Sequence, residues 1–269
     1  MSIKEVKICL YLFLVQQGLS ASRERARALI LSGAVLVDEK PVDKAGTLVS
    51  PQAVIRIKGK DNPYVSRGGL KLKGALDSFQ LDVRDLVALD VGASTGGFTD
   101  CLLQEGARRV YALDVGYGQF AWKLRIDPRV TCIERTNIRF FDGTGLDGPV
   151  DLVTVDASFI SLKLVIPAAL KFLKKGGLLL ALIKPQFEVG KGEVGKGGVV
   201  RQPALRQKVL DDLTVFLQNQ GLEVMGTVVS PLPGPKGNRE FFILARLPEE
   251  DSFEELQDLP HNSEILSTI

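Results

Sequence analysis

The segment from Leu86 to Asp100 restricts the possible folds of this chain more than any other. An apolar run, Leu86-Val87-Ala88-Leu89, leads into Asp90, and Val91-Gly92-Ala93-Ser94-Thr95-Gly96-Gly97-Phe98-Thr99-Asp100 follows. An apolar run, a glycine-rich turn and then a helix-forming stretch make the first strand–loop–helix of a nucleotide-type α/β domain. Glycine lets the backbone come close to a ligand, and a helix N-terminus offers free N–H donors. The spacing is D-x-G-x-x-x-G-G rather than the dinucleotide pattern G-x-G-x-x-G, which argues against a nicotinamide cofactor. Asp90, Gly92, Ala93, Ser94, Gly96, Gly97 and Phe98 are therefore candidate cofactor contacts, with Asp90 either holding the loop or meeting a ligand amino group.

From residue 84 onward, strand and helix patterns alternate. Strands are expected at Val87–Val91, Arg109–Asp114, Leu152–Asp156, Leu178–Lys184, Val224–Ser230 and Phe241–Arg246, with a further one just before Glu134. Helices are expected at Gly97–Gln104, Phe120–Arg125, Lys163–Leu173 and Pro203–Gln220, after an earlier one that runs to Phe79. This alternation predicts a doubly wound, Rossmann-like α/β sheet with ligands at the carboxyl ends of the strands. The segment Pro231 to Asn238 is too short to hold a crossover helix, so the last strand must be antiparallel. Asp114, at the end of the second strand, is placed to accept hydrogen bonds from ribose hydroxyls. Glu134-Arg135-Thr136-Asn137 follow the next strand. Asp156 falls beside the pocket centre.

The region before this domain reads as a small α+β module. A helix over Lys4 to Gln17 ends at Gly18, and a second, capped by Ser20 or Ser22, stops at Gly33. Short β segments follow at Val35–Val37 and Ala53–Ile57, with a turn at Asp38 to Pro41. Residues 1–80 carry 13 Lys and Arg against 7 Asp and Glu, which suggests a polyanion partner. Residues 248–269 carry 7 acids and no Lys or Arg, and read as an acidic tail. The expected division is 1–60 for the small module, 61–83 for a linker and the first helix of the larger domain, 84–247 for the α/β domain and 248–269 for the tail. Three cysteines without a C-x-x-C pair, and a single histidine, His261, fit a reducing, cytoplasmic setting. They give no support to a metal site or a histidine-based nucleophile. No run approaches the ~20 apolar residues that a membrane span needs.

Several of these features resemble known families. The D-x-G-x-x-x-G-G motif resembles the first motif of S-adenosylmethionine methyltransferases, and its Gly-Gly-Phe ending the FtsJ-like ribose 2′-O-methyltransferases. Resemblance to that family implies that Thr136 and Asn137 meet the base end of the same ligand as Asp114. It also implies a Lys–Asp–Lys–Glu tetrad. Here it falls on Lys71 of Arg67-Gly68-Gly69-Leu70-Lys71, Asp156 of Thr154-Val155-Asp156, Lys184 of Ile183-Lys184-Pro185-Gln186-Phe187, and Glu240 of Asn238-Arg239-Glu240. A ribose hydroxyl is a poor acid and needs a base or a cation beside it. Lys184, ending an apolar strand, is the expected base or polariser. Burial and the neighbouring Lys71 would favour its neutral amine, and Asp156 and Glu240 its ammonium. Asp156 would orient Lys184 and face the sulfonium, while Lys71 and Glu240 hold the ribose. Residues 185–201, glycine-rich and ending at Arg201, form a loop suited to closing over a ligand.

Gly18-Leu19-Ser20-Ala21-Ser22-Arg23, with Ala26, Ile30, Gly33, Val35 and Val37, resembles the RNA-binding module of the ribosomal protein S-four type. That family commonly opens its first helix with Arg-Leu-Asp, where this chain has Cys9-Leu10-Tyr11. The resemblance implies RNA contacts at Arg23 and Arg27, one turn apart on the second helix, and Arg67 is a further candidate. The two modules in this order resemble the TlyA family, also labelled haemolysins. That resemblance implies S-adenosylmethionine-dependent 2′-O-methylation of cytidine in ribosomal RNA, with structured rRNA or ribosomal subunits as partner, not DNA or membrane, and with a monomer favoured. A membrane-acting haemolysin and a non-catalytic RNA-binding assembly protein are the alternatives.

Overall fold

The computed structural model describes residues 7–20, 22–31, 33–57, 62–190, 192–195, 197–234 and 236–249. Lys4, most of the expected acidic tail and His261 lie outside the described residues. Packing divides the chain into two compact units, between Pro63 and Tyr64.

The first unit contains β1 (Ile8–Cys9), α1 (Leu10–Gln16), α2 (Arg23–Leu31), β2 (Val35–Val37), β3 (Lys40–Pro41), β4 (Leu48–Val49) and β5 (Ile55–Ile57). Strand β2 pairs with β3 and β5, and β1 pairs with β4. Leu10, Phe13 and Leu14 of α1 meet Ala26, Leu29 and Ile30 of α2 in one core with Val35 and Val49. The turn is tighter than the sequence suggests. Asp38 and Glu39 alone make it, both with positive φ, so Lys40–Pro41 pairs back as a strand. Short polar side chains tolerate that left-handed conformation, which matches the twist of a two-residue hairpin. The two-residue strands β1, β3 and β4 are too short to show a period in the sequence.

The second unit is built on seven strands: β6 (Val87–Val91), β7 (Arg109–Leu113), β8 (Val130–Ile133), β9 (Val150–Val155), β10 (Leu173–Ile183), β11 (Glu223–Val229) and β12 (Phe241–Arg246). Their order across the sheet is β11-β12-β10-β9-β6-β7-β8. Strand β12 runs antiparallel to both β10 and β11, and the other described pairs are parallel. The chain winds from β6 outward to β8 and then returns to β9 on the other side of β6. A crevice opens where the order reverses, at the carboxyl ends of β6 and β9.

Helices cover both faces. α3 (Arg67–Phe79), α4 (Gly97–Gln104) and α5 (Trp122–Arg125) lie on one, α6 (Leu162–Leu170) and α8 (Pro203–Asn219) on the other; α7 (Pro185–Glu188) is a single turn. Alternate strand residues point to opposite faces. Leu89, Val153, Leu179 and Ile243 therefore join Val165, Ile166, Val209 and Leu213. Ala88, Leu152, Leu180 and Phe242 join Leu72, Leu76, Phe98 and Leu102. Phe242 is fully buried, and replacing it with alanine would cost about 3–5 kcal/mol. The structure departs from expectation at Leu173, which starts β10 rather than ending a helix. Leu173 pairs with Val150, and an irregularity over Lys174 to Gly177 carries the strand on to Leu178.

Candidate active site

The candidate residues are gathered by strand ends. Val91 pairs with Val155, Val155 with Ala181, and Ile183 with Phe241. Just beyond these pairs stand Gly92, Asp156, Lys184 and Glu240. Because β12 runs backwards, the residue before its first position reaches the same edge as the residues after the ends of β6, β9 and β10. Neighbouring strands are about 4.8 Å apart, so the four residues form a short row along the sheet edge.

The charges in this row are paired. Lys184 Nζ lies 2.5 Å from Asp156 Oδ1 and donates to Ser158 Oγ at 2.7 Å. Lys71, on the inward face of α3, places Nζ 2.5 Å from Glu240 Oε2. Lys71, Lys184 and Glu240 are all buried, at 8, 9 and 1 % exposure. An isolated charge so deep would cost several kcal/mol, so each pair must hold together for either member to remain charged. Glu240 Oε1 is buried without a hydrogen bond, and Asp156 Oδ1 meets Lys184 as an ion pair without an aligned one. The pairs thus keep acceptor capacity that no described residue uses.

Two clefts meet at this edge. One, of about 420 Å³, is lined by Val91, Ser94, Asp114, Thr136, Asn137 and Ile138 among others. The second is lined by Ser66, Arg67, Lys71, Thr95, Phe98 and Pro233. Gly92, Ser94 and Asp156 line both. The first has an apolar wall and, at its rim, the Asp114 carboxylate, which suits a nucleoside. Asp114 accepts from Ser94 N at 2.8 Å and Gly116 N at 2.6 Å, so the glycine turn holds it at the strand end. Gly92 has φ +84, and a Cβ there would lie 2.7 Å from Asp156 O. Only glycine permits this approach of the β6 turn to the end of β9.

The remaining glycine-turn residues divide between packing and lining. Gly96, expected beside a ligand, packs instead against Leu124 and Phe120, which an added Cβ would strike. A Cβ on Gly97 would lie 2.2 Å from Ser66 Oγ, so this glycine lets α3 and α4 approach each other, although it also lines the second cleft. Ala93 and Phe98 line the second cleft; Phe98 also stacks on Phe242 with centroids 5.9 Å apart. Asp90 lines neither cleft. It is fully buried, accepting from Thr99 Oγ1 at 2.7 Å and Thr154 Oγ1 at 3.1 Å, which is the loop-holding alternative. Burial pushes its carboxyl up to about 7. Thr136 and Asn137 line the first cleft; Asn137 also caps Ile138–Phe140 through Arg139 N.

In the first unit, Arg23 and Arg27 are exposed on α2. The Arg27 guanidinium sits 4.6 Å from the centre of the Tyr11 ring, the residue at which the helix opening departs from the usual pattern. Arg67 is exposed at the start of α3 and reaches Pro233 O at 3.4 Å. Sequence reasoning missed Ser158, which holds Lys184, and Asn238, buried between two loops. Ser158 could have been found as the residue two positions beyond Asp156 at a strand end. Nothing local distinguishes Asn238.

A doubly wound sheet with one reversed strand, a glycine turn at its switch point and paired charges beside a nucleoside-sized cleft defines a Rossmann-like methyltransferase. The FtsJ-like methyltransferase model matches residues 64–247, and the S4 domain model residues 10–55. The 16S/23S rRNA (cytidine-2'-O)-methyltransferase TlyA of Mycobacterium tuberculosis is 45% identical over 87% of this chain and 87% of its own length. YqxC of Bacillus subtilis is 43% identical over 92% of this chain and 88% of its own. A solved structure of a hemolysin-named protein from Streptococcus thermophilus has a TM-score of 0.72 at 40% identity, covering 91% of this chain and 90% of that one. The chain belongs to the TlyA family of FtsJ-like methyltransferases.

Proposed function

We propose that this chain transfers a methyl group from S-adenosylmethionine to the ribose 2′-hydroxyl of a cytidine in structured ribosomal RNA, in the cytoplasm. The observation that carries this reading is the meeting of the two clefts at Gly92, Ser94 and Asp156 beside two lysine–carboxylate pairs whose lysines are buried. The M. tuberculosis relative, named for this reaction, supports the choice of acceptor.

In this reading the cleft with Asp114, Thr136 and Asn137 holds the adenosyl end of the donor, and Ser94 and Asp156 face its methionine end. The bound donor would supply an electrophilic methyl carbon. The chain's own residues do the rest. Lys71, fixed by Glu240, positions the ribose in the second cleft. Lys184, held between Asp156 and Ser158, stabilises negative charge on the 2′-oxygen as its proton is lost, so that the O–C bond can form while the methyl–sulfur bond of the donor breaks. The hydroxyl proton goes to solvent in the same step. Arg67, at the mouth of that cleft, and Arg23 and Arg27 on α2 are assigned to RNA phosphates.

Tritium transfer from S-adenosylmethionine to ribosomal subunits from a strain lacking this protein tests the reading, followed by mapping of the 2′-O-methyl. No transfer to subunits or free rRNA would overturn it. Among the described residues, no helix is long and apolar enough to cross a membrane. Efficient leakage of liposomes by the purified protein would instead favour the haemolysin alternative.

A further inference from the structure

Asn238 is 3 % exposed, and both ends of its side-chain amide are hydrogen-bonded. Its Oδ1 accepts from Val200 N at 3.0 Å and its Nδ2 donates to Gly198 O at 2.8 Å. The amide thus grips the backbone on the far side of the glycine-rich segment as a neighbouring strand would. The main chain of the same residue continues the connection: Asn238 O accepts from Gly234 N at 2.9 Å and closes a turn in which Gly237 N donates to Gly234 O. Gly234 in turn lies against the free oxygen of Glu240, where an added Cβ would stand 2.3 Å from Oε1. The other oxygen of Glu240 holds Lys71. One unbroken series of contacts therefore joins Val200 and Gly198 to Asn238, Gly234, Glu240 and Lys71.

We propose that Asn238 is a positioning residue for the methyl acceptor, acting through Gly234 on the Lys71–Glu240 pair. This rests on the reading of Lys71 and Glu240 as part of the acceptor site. A carboxylate with one bonded and one unbonded oxygen can rotate about its terminal bond. Here the backbone of Gly234 blocks that rotation, and Asn238 holds Gly234 in place. Without the amide grip, the turn is free to move away from Glu240, and the carboxylate can turn from Lys71. Donor binding uses other walls and is unaffected.

The test uses Asn238→Ala and Gly234→Ala in the full-length protein. The second variant leaves the Asn238 side chain intact and pushes directly on Glu240. Turnover on rRNA in both should fall about tenfold to a hundredfold, the usual penalty for disturbing the support of a reacting group. S-adenosylmethionine affinity and rRNA KM should stay within about twofold of wild type. The second readout needs no turnover. The Lys71 side-chain ammonium, followed by heteronuclear NMR without donor or RNA, should exchange its protons slowly in the wild type and fast in both variants. In Asn238→Ala alone, the Val200 amide should also lose its protection from hydrogen exchange. Slow Lys71 exchange in Asn238→Ala, with Val200 deprotected, would overturn the proposal. So would loss of donor binding in step with turnover, which marks a general folding role. A wild type that transfers no methyl but shows these exchange differences would refute the assigned reaction and leave the positioning series standing.

Discussion

The two clefts at the edge of the central sheet are made in different ways. The cleft proposed for the donor draws on consecutive pieces of chain, from Val91 to Val165, and offers a ligand mostly backbone and apolar walls. Asp114, at its rim, is held by backbone N–H groups. The side proposed for the acceptor takes Lys71, Asp156, Lys184 and Glu240 from four distant segments, with their charges already paired within the protein. A shape-based site tolerates small losses gradually. A site of buried pairs does not, because removing one partner strands the other.

Substitutions that touch one cleft alone test this division. The largest effect is expected from Lys184→Ala. Turnover should fall by about 10²–10³, the range for removing one group that stabilises developing charge, with donor affinity by calorimetry little changed. A parallel loss of donor binding would erase the distinction between the clefts. Gly92→Ala is expected to damage both at once, because its Cβ would press on Asp156 O from a positive φ; donor binding and turnover should drop together. Asp114→Ala should weaken donor binding about tenfold, the worth of one or two hydrogen bonds, while saturating donor restores turnover. Arg23→Glu with Arg27→Glu should raise the KM for rRNA and flatten its dependence on salt; donor affinity is the control.

The smallest effect concerns stability alone. Asp90 ordinarily titrates near 3.8, and burial holds it up at about 7 in the folded chain. Between those values the folded state keeps a proton that the unfolded state has released. The stability from this group is therefore complete below the lower value and is lost as pH rises through the upper one. Asp90→Asn should flatten the change in thermal midpoint between pH 4 and 7 and should be relatively more stable at pH 8. An unchanged profile would show that Asp90 is charged when folded.

The same division explains what could be read from the sequence. The strand, glycine turn and helix at Val87 to Gln104 were legible because each depends on its immediate neighbours. Gly92 was legible as a glycine needed for close approach, but the group it approaches, Asp156 O, is far away in sequence and was not. The four charged positions were found through resemblance to a family pattern, since a lone lysine at a strand end has no local signature. Their pairing as Lys71 with Glu240 and Lys184 with Asp156 depends on strand order, as do Ser158 and Asn238. Asp90 was placed in the right segment, but only the burial of its partners Thr99 and Thr154 separates a support from a contact.

The reversed strand β12 also sets the order in which the parts become available during synthesis. It enters the sheet between β10 and β11, and it is the last strand of the fold. Until it emerges, the edge of β10 is unpaired, β11 has no strand to join, and Glu240 is missing from the row. Chains fold as they are made, N-terminal parts first. The donor cleft, whose lining is complete by Val165, can therefore assemble while the acceptor side is still unfinished. On the proposed reading of the clefts, a ribosome stalled shortly before residue 240 would carry a nascent protein able to hold a methyl donor but not to spend it.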